Sequence, residues 1–412
     1  MRITNDGSML FCRWSNKFVG NINIRDVDPK TFFQQHMAPI RRDLLQGKRV
    51  DACNECYQMD QHGKVSGRQK QLLKAGVRLE QFEKTMRSSP WYSTWHNDYE
   101  TGITDQLPQD WQIDLGNYCN SGCVFCDPKD SSKLAAEWKR IGFIDRLPSP
   151  NWTDDPALVQ KFIDVLVQSP NIKYLHFIGG ETVITPAFAT ILEALIDAGL
   201  NRTATVGFTT NLTVWDQHIV DLLLQFHGVN LGLSVEAIDP VNDYIRWPAK
   251  IDNVVSIKDQ WIEVGKQANW FIQYRTAPTL LSISKLLSVY RDAWKHNVSV
   301  ESCNFLQKPD FLRPTVLPKE LRNQYADEIQ RWIDQYDHTN PVSIVNVRNP
   351  NTIKSYLLQD LQSYVNYLRE EVDESHLLPS AVTFLKKLEH SRGNCVFDYL
   401  PEYEQLFRSA GY

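Results

Sequence analysis

Between about residues 108 and 320 the apolar positions alternate between two rhythms. Short apolar runs of strand length are predicted at 111–115, 173–178, 203–209, 230–236, 270–275 and 298–305. Between them lie amphipathic runs of helical period, at 131–141, 155–168, 187–198, 216–226, 252–267 and 283–296. Strand and helix taking turns in this way is the pattern of repeated β-α units around a parallel sheet. About six strands are too few to close an eight-stranded barrel, so the expected fold is α/β, a partial (β/α) barrel with its site at the carboxyl ends of the strands.

The flanks read differently. Asn5-Asp6-Gly7 supplies a tight turn into a strand over 8–14, which would leave Cys12 at the exposed end of a small sheet. A helix over 41–46 ends at Gly47, helical patterning returns over 69–82, and 91–108 reads as a linker. Beyond the barrel, helices are predicted at 319–336, 353–370 and 380–390, with breaks at Pro318, Pro341 and Pro350. The expected division is a small N-terminal α+β domain over 1–100, a core over 108–320 and a helical extension over 321–412. No motif in the extension carries chemistry; its tail, 401–407, is placed to cap one mouth of the barrel.

A chain of 412 residues exceeds the usual size of one core, and 42% hydrophobic with 23% charged residues is the composition of a globular protein. The net charge of -5, with no basic block, gives no electrostatic footprint for nucleic acid. No apolar run is long enough to span a bilayer and the first residues lack the apolar core of a signal peptide, so a cytoplasmic protein is expected. Five of the eight cysteines sit in tight clusters, which favours metal ligation over disulfides.

The densest cluster is Cys119, Cys123 and Cys126, directly after the first barrel strand. Three thiolates on one loop can ligate three irons of a cubane cluster and leave the fourth iron open. After the second strand comes Gly179-Gly180-Glu181: two glycines that permit close backbone approach, and a carboxylate that can accept from an ammonium group. Ser234 and Glu236 share one face of the fourth strand by its two-residue period. Thr210, Asn211 and Arg275 are candidate lining residues, although each also has an ordinary structural reading. His176 reads as a core histidine and Cys303 as a buried, inert thiol. Cys53-x-x-Cys56 lets two thiolates reach one metal from a single turn, and alone would read as half of a zinc knuckle.

With these motifs in order, the chain resembles the radical S-adenosylmethionine (SAM) superfamily, most specifically at Cys119, Cys123, Cys126 and Gly179 to Glu181. The order Gly7, Cys12, Gly47, Cys53, Cys56, then Asp60, Gly63, Ser66 and Arg68, resembles the SPASM or twitch auxiliary-cluster module. Here that module precedes the barrel instead of following it, and three cysteines stand where four are usual. A truncated start or Cys395 would account for the fourth.

The resemblance implies a 4Fe-4S cluster on Cys119, Cys123 and Cys126, with SAM chelated at the open iron. By the same resemblance Phe125 packs near the adenine, Gly179, Gly180 and Glu181 hold the methionyl amino group, and Asn211, Ser234 and Glu236 contact the rest of the cofactor. It further implies an auxiliary iron-sulfur cluster on Cys12, Cys53 and Cys56, and reductive cleavage of SAM to a 5'-deoxyadenosyl radical that abstracts hydrogen from a substrate. A flavodoxin or ferredoxin would serve as reductant, and a peptide or small molecule as substrate. The contrasting reading is a non-catalytic scaffold holding structural zinc, which needs four protein ligands where the first loop offers three.

Overall fold

The computed structural model describes residues 1–12, 22–61, 66–69, 100–301, 305–336 and 352–412. Its frame is one sheet of eight strands in the order β2-β1-β3-β4-β5-β6-β7-β8. These are β1 (Arg2–Ile3), β2 (Met9–Leu10), β3 (Asp110–Asp114), β4 (Tyr174–Ile178), β5 (Thr205–Thr210), β6 (Gly228–Ser234), β7 (Phe271–Arg275) and β8 (Ser299–Val300). The strands from β3 to β8 run parallel in chain order. All six expected core strands are therefore present, five of them near their predicted bounds, while β8 covers only Ser299–Val300 of the expected 298–305, of which 302–304 lie outside the described residues.

The first two strands depart from expectation. β1 pairs parallel with β3 and antiparallel with β2, so the N-terminal hairpin extends the main sheet. Ile3, Met9 and Leu10 are all buried, and covering these apolar side chains against the main sheet accounts for the docking. Gly7, with φ of +87°, makes the turn between the two strands. The predicted strand over 8–14 stops at Leu10, and Cys12 lies just past it.

The two faces of the sheet differ as the alternation predicts. Trp111, Ile113, Leu175, Phe177, Val206, Phe208, Leu231, Leu233, Ile272 and Tyr274 are buried under the helices that follow each strand. On the opposite face His176, Thr209, Asn230, Ser234, Gln273 and Arg275 are only half-buried. This polar, partly open face is where a ligand can enter. His176 belongs to it, beside the Tyr174 ring at 5.8 Å, and is not a core residue. β4 exposes positions 174, 176 and 178 alike to that face because the strand period is two.

The crossover helices Ser132–Arg140, Pro156–Val167, Pro186–Asp197, Gln217–Leu223, Ile251–Gln267 and Leu286–His296 match the predicted runs. Lys319–Ile333, Ile353–Leu368 and Leu378–Arg392 follow. Each fully buried aromatic in the packing, such as Trp111, Trp152 and Phe162, contributes roughly 2–3 kcal/mol. Among the described residues no helix is long and apolar enough to cross a membrane. Most of the helical run over 69–82, together with Gly63 and Cys303, lies outside the described residues.

Candidate iron-sulfur and cofactor site

The cysteine loop begins where β3 ends, and neighbouring segments fix its backbone before the first thiol is reached. Trp152 Nε1 donates to the Asp114 carbonyl at 2.7 Å, and the Asn117 N–H donates to Asn151 Oδ1 at 2.9 Å. Trp152 is itself clamped edge-on against Phe162, with ring centroids 5.5 Å apart. Asp114 is buried, and burial followed by the charge of Asp130 pushes its carboxyl up to about 7.

Gly179 and Gly180 bring β4 onto this loop. Gly179 has φ of +136°, and a Cβ there would stand 2.4 Å from the Gly116 carbonyl oxygen. At Gly180 a Cβ would meet the Tyr118 carbonyl oxygen at 2.3 Å. The Gly180 N–H donates to Gly116 O and the Glu181 N–H to Tyr118 O, each at 2.8 Å. The close approach that these glycines permit is thus to the cysteine loop's own backbone.

Glu181 is fully buried behind them. Its carboxylate accepts from the Asn211 N–H at 2.5 Å and the Val183 N–H at 3.3 Å, while burial pushes its pKa up to about 7. Asn211, at the end of β5, returns to the loop: Nδ2 donates to Asn120 Oδ1 at 2.8 Å and to Ser121 Oγ at 3.1 Å. One residue therefore ties the third strand end to both motifs.

The far side of the loop is held by the segment after β6. The Gly122 N–H donates to Trp247 O at 2.7 Å and the Val124 N–H to Ile245 O at 2.8 Å. Ser234 closes β6 and is half-buried, whereas Glu236 lies beyond the strand and is fully buried. The Glu236 carboxylate accepts from Arg246 Nη2 at 2.7 Å, the Ala277 N–H at 2.8 Å and Thr276 Oγ1 at 3.1 Å. Arg246 also donates from Nη1 to Cys123 Sγ at 3.8 Å, and its guanidinium carbon stands 5.7 Å from the Phe125 ring centroid. Arg246 is not among the residues singled out in the sequence; the available signal was an arginine ten residues after Glu236.

The three thiols are gathered in one place. Burial, then the proximity of Cys123, pushes the Cys119 thiol up to about 11. Cys126 is raised well above the usual thiol range by burial, then by Cys123, Asp130 and Cys119. Cys123 is raised by burial, against the pull of Arg246. Thiols held protonated by burial and by one another are the state that binding to a cationic iron-sulfur core relieves. Cys119 Sγ already accepts from the Ser121 N–H at 3.4 Å, and Arg246 Nε is buried with no partner among the described residues. The donor set fits a 4Fe-4S cluster. Among the described residues no three acidic, histidine or cysteine side chains could hold a single metal ion, and a cubane asks for no such convergence because each thiolate takes its own iron.

A second set of cysteines is brought together across a long stretch of sequence. The Cys53 thiol is raised by burial and then by Cys12 and Cys56, and Arg68 opposes the shift. Asp60 and Arg68 form an ion pair at 2.6 Å, and Ser66 is buried beside them. Cys395 sits at the other end of the chain, its Sγ 3.5 Å from the Tyr412 hydroxyl. The seven cysteines among the described residues are all free.

No curated protein matches the chain. Among solved structures it is similar to Streptococcus suis SuiB bound to S-adenosylmethionine, at 14% identity over 69% of this chain and 58% of that one, with a TM-score of 0.37. SuiB bound to its precursor peptide SuiA aligns at 15% over 71% and 62%, with a TM-score of 0.39. The protein anSMEcpe with bound AdoMet aligns at 14% over 55% and 61%, with a TM-score of 0.40. The chain spans about three fifths of the length of each of these proteins. Superpositions this loose leave the family assignment resting on the sequence match, which is to the Radical SAM superfamily over residues 113–299. That span, which matches the Radical SAM superfamily model, runs from the end of β3 to the start of β8 and takes in the cysteine loop, Gly179 to Glu181 and Arg246.

Proposed function

We propose that the protein is a radical SAM enzyme whose residues 108–320 form the catalytic unit, with 1–100 as an auxiliary module and 321–412 as a helical extension. The observation that carries this reading is the gathering of Cys119, Cys123 and Cys126 on one loop, locked to Gly179–Glu181 and to the end of β5. Bound there, a 4Fe-4S cluster and SAM supply reductive cleavage of the sulfonium and a 5'-deoxyadenosyl radical able to abstract hydrogen.

The chain's own part is to bind and to exclude. Gly179 and Gly180 hold the two strand ends in contact, which fixes the position offered to the methionyl amino group. Glu181 is committed to backbone amides, so it acts by shaping this segment. Ser234, half-buried at the end of β6, is the polar contact for the rest of the cofactor on that strand, because both oxygens of Glu236 are engaged within the protein. Phe125 offers the apolar face for the adenine. The substrate meets the half-buried polar face of the sheet at His176, Thr209, Gln273 and Arg275. A peptide is the proposed substrate class and a flavodoxin or ferredoxin the proposed reductant, both on the resemblance of the cysteine motifs to enzymes of that kind. The closeness of Cys12 and Cys56 to Cys53 supports an auxiliary cluster on that set.

Anaerobic reconstitution with iron and sulfide tests the reading. The expected product is a brown protein holding about four irons or more that converts SAM to methionine and 5'-deoxyadenosine when dithionite is added. Cys126→Ala should lose that activity. A colourless protein retaining zinc, or a Cys126→Ala variant that still cleaves SAM, overturns it.

A further inference from the structure

One line of side chains runs from an expected cluster ligand into the fold: Cys123, Arg246 and Glu236, in that order. All three are buried. Arg246 Nη1 reaches Cys123 Sγ at 3.8 Å and Nη2 reaches Glu236 Oε1 at 2.7 Å. Glu236 is in turn fixed by the Ala277 N–H and Thr276 Oγ1, and its own N–H donates to Asn242 Oδ1 at 3.0 Å. A guanidinium held in this way cannot swing to solvent. It presents a donor and the positive end of an ion pair to one ligating sulfur.

Resting on the cluster reading above, we propose that Arg246 is a positioning residue that raises the reduction potential of the cluster held by Cys119, Cys123 and Cys126, acting through the Cys123 sulfur, and that Glu236 both fixes Arg246 and offsets part of its charge. Reduction adds one electron, delivered by a low-potential protein donor of the ferredoxin or flavodoxin class, or by dithionite in the assay; no bond breaks and no proton moves. The site becomes more negative by one charge. A cation and a hydrogen-bond donor at the sulfur stabilise that state, and hydrogen bonds to the sulfurs are a recognised determinant of cluster potential. The neighbouring carboxylate acts in the opposite sense. Because both groups are out of water, solvent screens neither strongly.

The two variants therefore carry opposite signs. The measurement is an anaerobic redox titration of the reconstituted full chain, monitored by electron paramagnetic resonance and read at the signal that Cys126→Ala abolishes. Arg246→Gln should lower the reduction equilibrium constant about tenfold, which for one electron is a fall of about 59 mV. Glu236→Gln leaves the arginine with its charge uncompensated and should raise the potential. Arg246→Lys, which keeps the charge without the forked geometry, should fall between wild type and Arg246→Gln. An unchanged potential in Arg246→Gln with its iron intact overturns the proposal, as does a shift of the same sign in Arg246→Gln and Glu236→Gln. If Arg246→Gln fails to retain iron, the sign of the Glu236→Gln shift decides alone. A wild-type chain that assembles no such cluster refutes the underlying enzyme reading instead, and the iron count separates that failure from the others.

Discussion

The guanidinium of Arg392 meets the carboxylate of Glu137 at 2.7 Å, with both side chains almost wholly removed from water. Glu137 belongs to the helix that follows the cysteine loop, and Arg392 ends the helix Leu378–Arg392 some 255 residues later. The guanidinium lies against the loop itself, since a Cβ on Gly122 would stand 3.2 Å from Arg392 Nη2. The C-terminal helices therefore brace the cysteine loop from behind.

Removing one member of this pair strands the other. Arg392→Ala should destabilise the protein by about 3–5 kcal/mol in denaturant unfolding, because Glu137 would be left buried and charged. The double substitution Glu137→Leu with Arg392→Met should recover most of that loss. A double variant as unstable as the single one would show that the pair is needed for more than mutual neutralisation.

Gly180→Ala drives a methyl group onto the Tyr118 carbonyl oxygen and should cost about 1–3 kcal/mol, while lowering the iron retained after reconstitution. Gly142→Ala is the control. Gly142 also has a positive φ, +75°, but no atom lies within 4 Å of the added Cβ, so only the backbone strain remains. Equal losses of iron in the two variants would mean that the contact between strand ends is not what seats the loop.

Much of this site was legible before the fold was seen. The spacing of Cys119, Cys123 and Cys126 and the placing of Gly179–Glu181 after the next strand are local features, and local sequence carries them. The partners of those residues were not legible, because they come from segments distant in the chain. Glu236 carried a cofactor assignment from strand period and from the family resemblance; in the structure β6 ends at Ser234 and the carboxylate meets Arg246. The docking of the N-terminal hairpin on β3 was missed for the same reason, since a two-residue strand has no periodicity to read. The C-terminal helices gave clear amphipathic patterns, but an amphipathic pattern does not say which surface its apolar face will meet.

Stability should fall with rising pH through the carboxyl of Asp114. Its ordinary value is 3.8 and burial pushes it up to about 7, so between these limits the folded protein keeps a proton that the unfolded chain has lost. Below the window both states are protonated; above it both are ionised and the loss is complete. Asp114→Asn keeps an oxygen for the Gly116 N–H and cannot ionise. It should flatten the decline between about pH 4 and pH 7 by on the order of 1–4 kcal/mol in urea unfolding. Part of the slope should persist, because Glu181 is raised to about 7 by the same cause. A variant whose stability declines as steeply as wild type would place the titration elsewhere.

The second cysteine set makes an independent prediction. Cys12 follows a strand of the main sheet, while Cys53 and Cys56 flank the start of the helix Asn54–Gln61, yet the charge of Cys12 is the foremost neighbouring influence on Cys53. Burial and the neighbouring thiols of Cys12 and Cys56 raise the Cys53 thiol, and a metal centre bound there would relieve that cost. Replacing Cys53 and Cys56 together by alanine should lower the iron bound after reconstitution and leave the signal abolished by Cys126→Ala intact. If the iron content does not change, these thiols carry no cluster. If the first signal disappears as well, the two cysteine sets depend on each other, and the junction is the hairpin of β1 and β2, which joins Cys12 to the strand that leads into Cys119.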